Sequence, residues 1–285
     1  ILYVTLKLVD SQIINLFVSH FCRSENFSAD LKIIVCIHDT MASRAYDFDD
    51  VSVVMGTYNE SAAIETVLRE IDDATGGDAE LIVVDSSTDD TAERAREHGA
   101  RVIEQPPLGY GVAVQTALEA ATRPVRITTD CDGTYPMDVL GEFVSQINHG
   151  YDVVSGDRLY HGAAEMPPLN RLGNRLFAWT ASLLCGTRLH DVTTGMRAYH
   201  ESVIKSCSWT ENTGLSAELL IRPAMRKYRI TEKPIQYHER MGETTLNPLQ
   251  GGIDIATSIV RVCLAERYRE FLSVRSRDIE VDRQS

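Results

Sequence analysis

The stretch VSVVMGTYNESAAIETVLREIDDATGG, Val51 to Gly77, decides the fold. Its first seven residues are a β-rich apolar run, and Ile64, Val67, Leu68 and Ile71 then recur at helical spacing. Gly76-Gly77 closes the helix, because glycine accepts the left-handed conformation of a C-terminal cap. The alternation continues downstream. ELIVVDSS, ARVIEQ, VRITTD and YDVVSGDR read as strands, and TDDTAERAREHG, GYGVAVQTALEAAT and MDVLGEFVSQINHG as the helices between them. Strands joined by single helices predict an α/β fold with a mostly parallel sheet and right-handed crossovers. Ligands of such sheets sit beyond the carboxyl ends of the strands. GTYNE, DSSTDD, DCDGTYP and SGDR all fall at those ends.

After Arg158 the pattern changes. LNRLGNRLFAWTASLLCG is helical to Gly186, RLHDVTTGMRAY reads as a polar turn, LSAELLIRPAMRKY as a helix and ITEKPIQYHER as a strand. A long amphipathic helix follows from about Leu249 to Val274. Residues 49–252 are thus expected to form one catalytic-sized body, and residues 253–285 a C-terminal helix and tail. Residues 1–48 are set apart as an extension. They either form an amphipathic segment that touches a membrane or partner, or precede a translation start at Met41, the favoured reading.

A length of 285 residues suffices for one large α/β core. The net charge of −13 argues against a broad nucleic-acid-binding face without a strongly local basic patch, so nucleic acid is not an expected partner. Acids outnumber bases and Arg far outnumbers Lys, which suits a salt-adapted, haloarchaeal type of cytoplasm as well as a mildly acidic mesophilic enzyme. The six cysteines show no CxxC spacing, so neither a zinc site nor a disulfide framework is indicated. No run of about 18 apolar residues is present to span a bilayer. The apolar opening segment is interrupted by Lys7, Asp10, Gln12 and Asn15 and makes a poor signal peptide.

The chemistry concentrates at ITTDCDGTYP, Ile127 to Pro136. Asp130 and Asp132 lie two apart at a strand end and project together if the extended geometry persists. Two converging carboxylates can bind Mg²⁺ or Mn²⁺, which in turn bridges phosphate oxygens. The competing reading makes Asp132 a turn cap and leaves Asp130 in solvent. In GTYNE, polar side chains at the end of the first strand can read a base and ribose, although Asn59 and Glu60 also suit a capping role. Asp85 ends the second strand, where an acid can accept a hydrogen bond from a nucleoside, while Ser87, Thr88 and Asp89 suit a helix cap. GYG at 109–111 is not a dinucleotide fingerprint; its glycines let the loop turn or pass close to a ligand.

These motifs, in this order, give a resemblance. TYNE at 57–60, VVDSSTDDT at 83–91, GYGVA at 109–113, TDCDGTYP at 129–136, SGDR at 155–158, DVTTGMR at 191–197 and YHERMGET at 237–244 resemble those of family 2 glycosyltransferases with the GT-A nucleotide-sugar-binding fold. Within that family they are most similar to the dolichyl-phosphate and polyprenyl-phosphate hexosyltransferases.

The resemblance implies inverting transfer of a hexose from a UDP- or GDP-linked donor to dolichyl or polyprenyl phosphate, for glycan assembly such as protein N-glycosylation. Thr57, Tyr58, Asn59, Glu60, Asp85 and Asp130 would line the nucleotide site, and Asp130, Asp132 and Thr134 would hold the metal. Asp132, Asp191 and Arg197 would be the catalytic group, the last two ordering the site around the sugar. Arg158, Arg171, Arg175 and Arg240 would meet the acceptor phosphate, since guanidinium binds phosphate through paired hydrogen bonds. The chain departs from the family in having Ser86 after Asp85, Thr134 where a Gln is common, and Asp157 inside the usual GSR. Such an enzyme would sit in the cytoplasm and visit the inner face of the cell membrane. The alternatives are the same fold acting on a soluble saccharide, or a non-catalytic nucleotide-sugar-binding protein.

Overall fold

β1 (Val51–Thr57) is the centre from which the sheet is built. Almost all of it is buried, as befits a strand covered on both faces. Val54 points into one hydrophobic cluster, while Val51, Val53 and Met55 point into the other. In β2 (Glu80–Asp85), Ile82 and Val84 alternate in the same way with Leu81 and Val83. The computed structural model describes residues 45–242 and 248–284. Residues 1–44, with the Met41 start, and Glu243-Thr244 of the YHERMGET motif lie outside the described residues.

Among the described residues seven strands form one sheet in the order β3-β2-β1-β4-β6-β5-β7. The others are β3 (Arg101–Glu104), β4 (Val125–Thr128), β5 (Val153–Asp157), β6 (Arg197–His200) and β7 (Ile230–Pro234). β1 pairs in parallel with β2 and β4, β2 with β3, and β5 with β7. β6 runs antiparallel to both β4 and β5. The mostly parallel α/β sheet expected from the sequence is therefore present.

The helices are α1 (Ile64–Thr75), α2 (Thr91–Glu97), α3 (Tyr110–Ala120), α4 (Leu140–Asn148), α5 (Pro168–Cys185), α6 (Glu201–Ser206), α7 (Leu215–Met225) and α8 (Pro248–Gln284). α1 buries Ile64, Val67, Leu68 and Ile71, the four residues whose spacing predicts it. Gly76 and Gly186 end α1 and α5 in the left-handed conformation, as expected of glycine at those positions.

Two expectations are corrected. Arg197–His200, read as part of a polar turn, is a strand inside the sheet. Only four residues long, it is held by pairing on both sides, which its local sequence does not announce. The DSSTDD segment also works differently from a simple cap. Ser87 hydrogen bonds to Asp85, and Thr88 donates to Asn59. Only Asp89 accepts from the first turn of α2, through Thr91.

Candidate active site

A cleft of about 530 Å³ opens at the carboxyl edge of β1 and β4. Thr57, Tyr58 and Glu60 reach it from the end of β1, Asp130 and Asp132 from the loop after β4, and Arg240 from the segment after β7. The sequence reading brought these six together, and they do meet.

The paired aspartates are not in a strand. β4 stops at Thr128, and Asp130 and Asp132 lie on the turn that follows. Their convergence comes from that turn, in which Gly133 adopts a φ of 73°, and not from extended alternation. Asp132 Oδ1 accepts the backbone N–H of Thr134 at 3.1 Å and its hydroxyl at 2.6 Å. Asp132 Oδ2 accepts from Arg240 Nη1 at 2.6 Å. Asp130 Oδ1 accepts the Tyr110 hydroxyl at 3.1 Å. Thr134 is buried and spends its hydroxyl on Asp132, so the geometry makes it a brace for the aspartate and not a third metal ligand.

Charge in the cleft is unbalanced. Burial, reinforced by the Asp132 charge, raises the Asp130 carboxyl to about 6. Burial likewise raises Glu60 to about 7, and the pull of Arg240 does not offset it. Arg240 bridges the two acid-bearing loops, with Nη2 at 2.5 Å from Glu60 and Nη1 at 2.6 Å from Asp132. Its segment is tied down by Met241 N–H donating to Asp132 O at 2.8 Å and His238 N–H donating to Thr134 O at 3.0 Å. Among the described residues no cluster of three or more His, Cys, Asp or Glu side chains forms a ready-made metal centre. The Asp130 and Asp132 carboxylates, hard oxygen donors on one turn, nevertheless fit a divalent cation that takes its other ligands from a diphosphate. The wall beside Asp130 is shaped for it: a Cβ on Gly195 would come within 2.5 Å of that carboxylate.

The other predicted residues fall outside this centre. Asp85 accepts from Thr57 Oγ1 at 2.6 Å, Ser87 Oγ at 2.6 Å and Ser87 N–H at 3.0 Å. It is buried, and Ser86 lines the cleft beside it. Asn59, at φ 57°, accepts from Thr88 N–H at 2.9 Å and thereby braces the two loops at the ends of β1 and β2.

Arg158 and Asp191 form a buried, two-point ion pair, Nε to Oδ2 at 2.7 Å and Nη2 to Oδ1 at 2.9 Å. Burial works against both charges, yet the pair prevails, holding Asp191 below the ordinary carboxylate range and Arg158 above the guanidinium one. Arg158 is thus committed to Asp191, Thr193 and Tyr135, and is not free to meet an acceptor phosphate. Asp191 is fully buried, which makes it a positioning residue. Arg197, also fully buried, donates to Ser155 Oγ, Val192 O and Ser216 O and so fixes backbone behind the cleft. Arg171 and Arg175 lie on α5 and are not among the residues that line the cleft. Of the four arginines expected at the acceptor phosphate, only Arg240 lines it.

Sequence reasoning missed two parts of the site. Tyr110 holds Asp130, and Asn212 Oδ1 accepts the Gly111 N–H at 2.8 Å. The glycines of GYG were the available signal: a Cβ on Gly111 would fall 2.5 Å from Asn212 O, so the loop does pass close to something, but to the chain itself.

Comparison with known proteins accords with this geometry. The model of glycosyl transferase family 2 matches residues 52–207. A dolichyl-phosphate hexose transferase of Haloferax volcanii is 62% identical over 224 residues, covering 79% of this chain and 98% of the relative. An undecaprenyl-phosphate mannosyltransferase of Micrococcus luteus is 25% identical, covering 76% and 96%. Glucosyl-3-phosphoglycerate synthase of Mycobacterium tuberculosis, solved with Mg²⁺ and uridine diphosphate, superposes with a TM-score of 0.60 at 25% identity, covering 76% of this chain and 78% of that one. With a matching sheet, a cleft at its carboxyl edge and paired aspartates in that cleft, the chain belongs to glycosyl transferase family 2 and is a glycosyltransferase of the GT-A fold.

Proposed function

We propose that the chain transfers a hexose from a UDP- or GDP-linked donor to a dolichyl or other polyprenyl phosphate, with inversion at the anomeric carbon. The observation that carries this reading is the charge of the cleft: among the described lining residues Arg240 pairs with Glu60 and Asp132, while Asp130 is held by the neutral Tyr110 hydroxyl. Such a site asks for a cation that arrives with an anionic donor. The 62% identical relative, named for dolichyl-phosphate hexose transfer, supports the choice of acceptor.

Asp130 and Asp132 would hold Mg²⁺ or Mn²⁺, which when bound neutralises the donor diphosphate as it leaves. Tyr110 keeps Asp130 oriented, and Thr134 does the same for Asp132. Thr57, Tyr58 and Ser86 form the nucleoside end of the cleft. Arg240 is placed to exchange its two carboxylates for phosphate oxygens, either on the donor or on the acceptor. The acceptor is a phosphate monoester, ionised at neutral pH, so it attacks the anomeric carbon without a strong general base. The protein's work is then to align donor and acceptor and to exclude water. The Arg158–Asp191 pair and Arg197 keep the wall at 191–197 rigid behind the sugar.

On this reading residues 49–252 form the transferase body, residues 253–285 its C-terminal helix and tail, and residues 1–48 an extension. The enzyme works at the inner surface of the cell membrane. To test it, purified protein is incubated with Mn²⁺, a polyprenyl phosphate and each of several labelled UDP- and GDP-hexoses, and the lipid is extracted. Label in the organic phase from one donor, absent with Asp132→Ala, is the expected result. Metal-dependent release of nucleoside diphosphate without lipid label would move the acceptor to a water-soluble molecule.

A further inference from the structure

α5 carries an apolar stripe that the fold does not use. Leu169, Leu172, Leu176, Trp179 and Leu183 are 66%, 67%, 57%, 64% and 65% exposed. Their spacing of three and four places them on one side of a helix 18 residues long, about 27 Å. Single exposed leucines are ordinary, but a five-residue row is not. The opposite side of α5 is conventional, burying Ala178, Ala181 and Cys185.

A second row lies next to it. On α8, Val260, Leu264, Tyr268 and Phe271 are exposed at the same helical spacing. The two helices meet where Cys185 Sγ lies 3.9 Å from Cys263 Sγ and Arg267 Nη2 donates to Leu184 O at 2.8 Å. Leu183 precedes Leu184, and Leu264 and Tyr268 follow Cys263 and Arg267. The two exposed rows thus lie on helices that pack against each other.

Charge identifies what the face suits. The chain holds 41 acidic residues in 285, yet none falls between Met166 and His190. That segment contains Arg171, Arg175 and Arg188 instead. Arg175 and Arg188 are exposed, and Arg171 donates to Gly162 O at the start of the helix. The α5 stripe has arginines and no carboxylate in its segment, and the α8 row has Arg267 and Arg269 with the single exposed Glu270 beside it; in an otherwise acidic protein this balance complements an anionic bilayer surface. A tryptophan in the row is the residue favoured at headgroup depth. Among the described residues no helix is long and apolar enough to cross a membrane.

We propose that the exposed faces of α5 and α8 together seat the protein on an anionic lipid surface, with Leu169, Leu172, Leu176, Trp179 and Leu183 inserted and Arg175 and Arg188 against headgroup phosphates. This rests on the proposed lipid-phosphate acceptor and gives it a route. Ile255 of α8 lines the cleft, and Ile253, two residues earlier, is exposed. Gly252 lies against Phe177 of α5, where a Cβ would be 3.9 Å from its ring. The first turns of α8 thus join the seated face to the cleft, so an acceptor phosphate can enter while its chain stays in the bilayer. Arg171 and Arg175, expected at the acceptor phosphate, act at the surface around it.

The test uses the full chain and vesicles of equal parts phosphatidylglycerol and phosphatidylcholine. The wild type is expected to co-sediment with them and to show a blue shift of tryptophan emission that Trp179→Phe removes. Leu172→Gln with Leu176→Gln should lower partition at least tenfold, with an unchanged melting temperature and unchanged transfer to a short, water-soluble polyprenyl phosphate. Arg175→Gln with Arg188→Gln should weaken binding to the mixed vesicles and not to pure phosphatidylcholine.

Equal binding of wild type and the leucine variant overturns the proposal. So does binding that disappears only when residues 1–40 are removed, or a leucine variant that turns a dimer into a monomer with no vesicle binding in either form. If vesicle binding behaves as expected but no lipid phosphate accepts a hexose, the acceptor assignment fails and the surface stands.

Discussion

Two groups of buried acids stand in contrast. In the cleft, Asp132 and Glu60 share Arg240 beside Asp130, and the carboxyls of Asp130 and Glu60 are pushed up towards neutral pH. Between α7 and α8, Glu218 and Glu266 meet Arg222, Arg226 and Arg269 in a linked set of ion pairs. Burial opposes the charge of Glu266, yet hydrogen bonds from Arg226 and Arg222 prevail and bring its carboxyl down to about 2. The helices hold acids matched by cations from the same chain. The cleft holds acids that the chain leaves short of a cation, and that shortage marks where a charged ligand belongs.

The contrast breaks most severely at Asp132. Asp132→Ala should lower hexose transfer by roughly a thousandfold or more, about 4 kcal/mol in barrier, with the fold intact by circular dichroism. Retained transfer would remove the acids from the reaction. In the matched set, Glu266→Gln leaves Arg222 with Glu218 alone and takes the carboxylate from Arg226 and Arg269. It should cost about 3 kcal/mol of stability in chemical denaturation, while transfer per folded molecule persists.

The smallest effect has the opposite sign. Asp130→Asn should stabilise the metal-free protein by about 1–2 kcal/mol near pH 7.5, a few degrees in Tm, while abolishing transfer. The same imbalance sets a pH dependence. The folded carboxyls of Asp130 and Glu60 keep protons that the unfolded chain has released, because their pKa values are raised. Stability of the metal-free protein should therefore fall as pH rises from about 4 through 7, and Asp130→Asn should flatten part of that slope in thermal melts. A steeper slope in the variant would contradict the assignment.

Much of this was legible in the sequence because it is local. The apolar runs of β1 and β2, the helical spacing of α1 and the glycine that ends it are each written within about fifteen residues. The paired aspartates were visible for the same reason. What stayed hidden depends on residues far apart. Arg158 looked available until Asp191, 33 residues on, was seen to claim it. Gly111 meets Asn212 across 101 residues, and β6 exists through its pairing with β4 and β5. Arg171 and Arg175 were misplaced because helical spacing says which residues share a face and not what that face looks upon.

The antiparallel course of β6 also fixes an order of assembly. β3, β2, β1 and β4 are adjacent in the sheet and complete by residue 128, so they can associate as soon as that length of chain exists. β5 is made next but has no neighbour among them; it waits for β6 to come between it and β4. Because β6 enters the sheet in the reverse direction, the segment leading into it, with Thr194 and Gly195, arrives at the Asp130 side of the sheet at that same moment. During synthesis the acids of the cleft are therefore present, open to water, well before the wall that encloses them is closed.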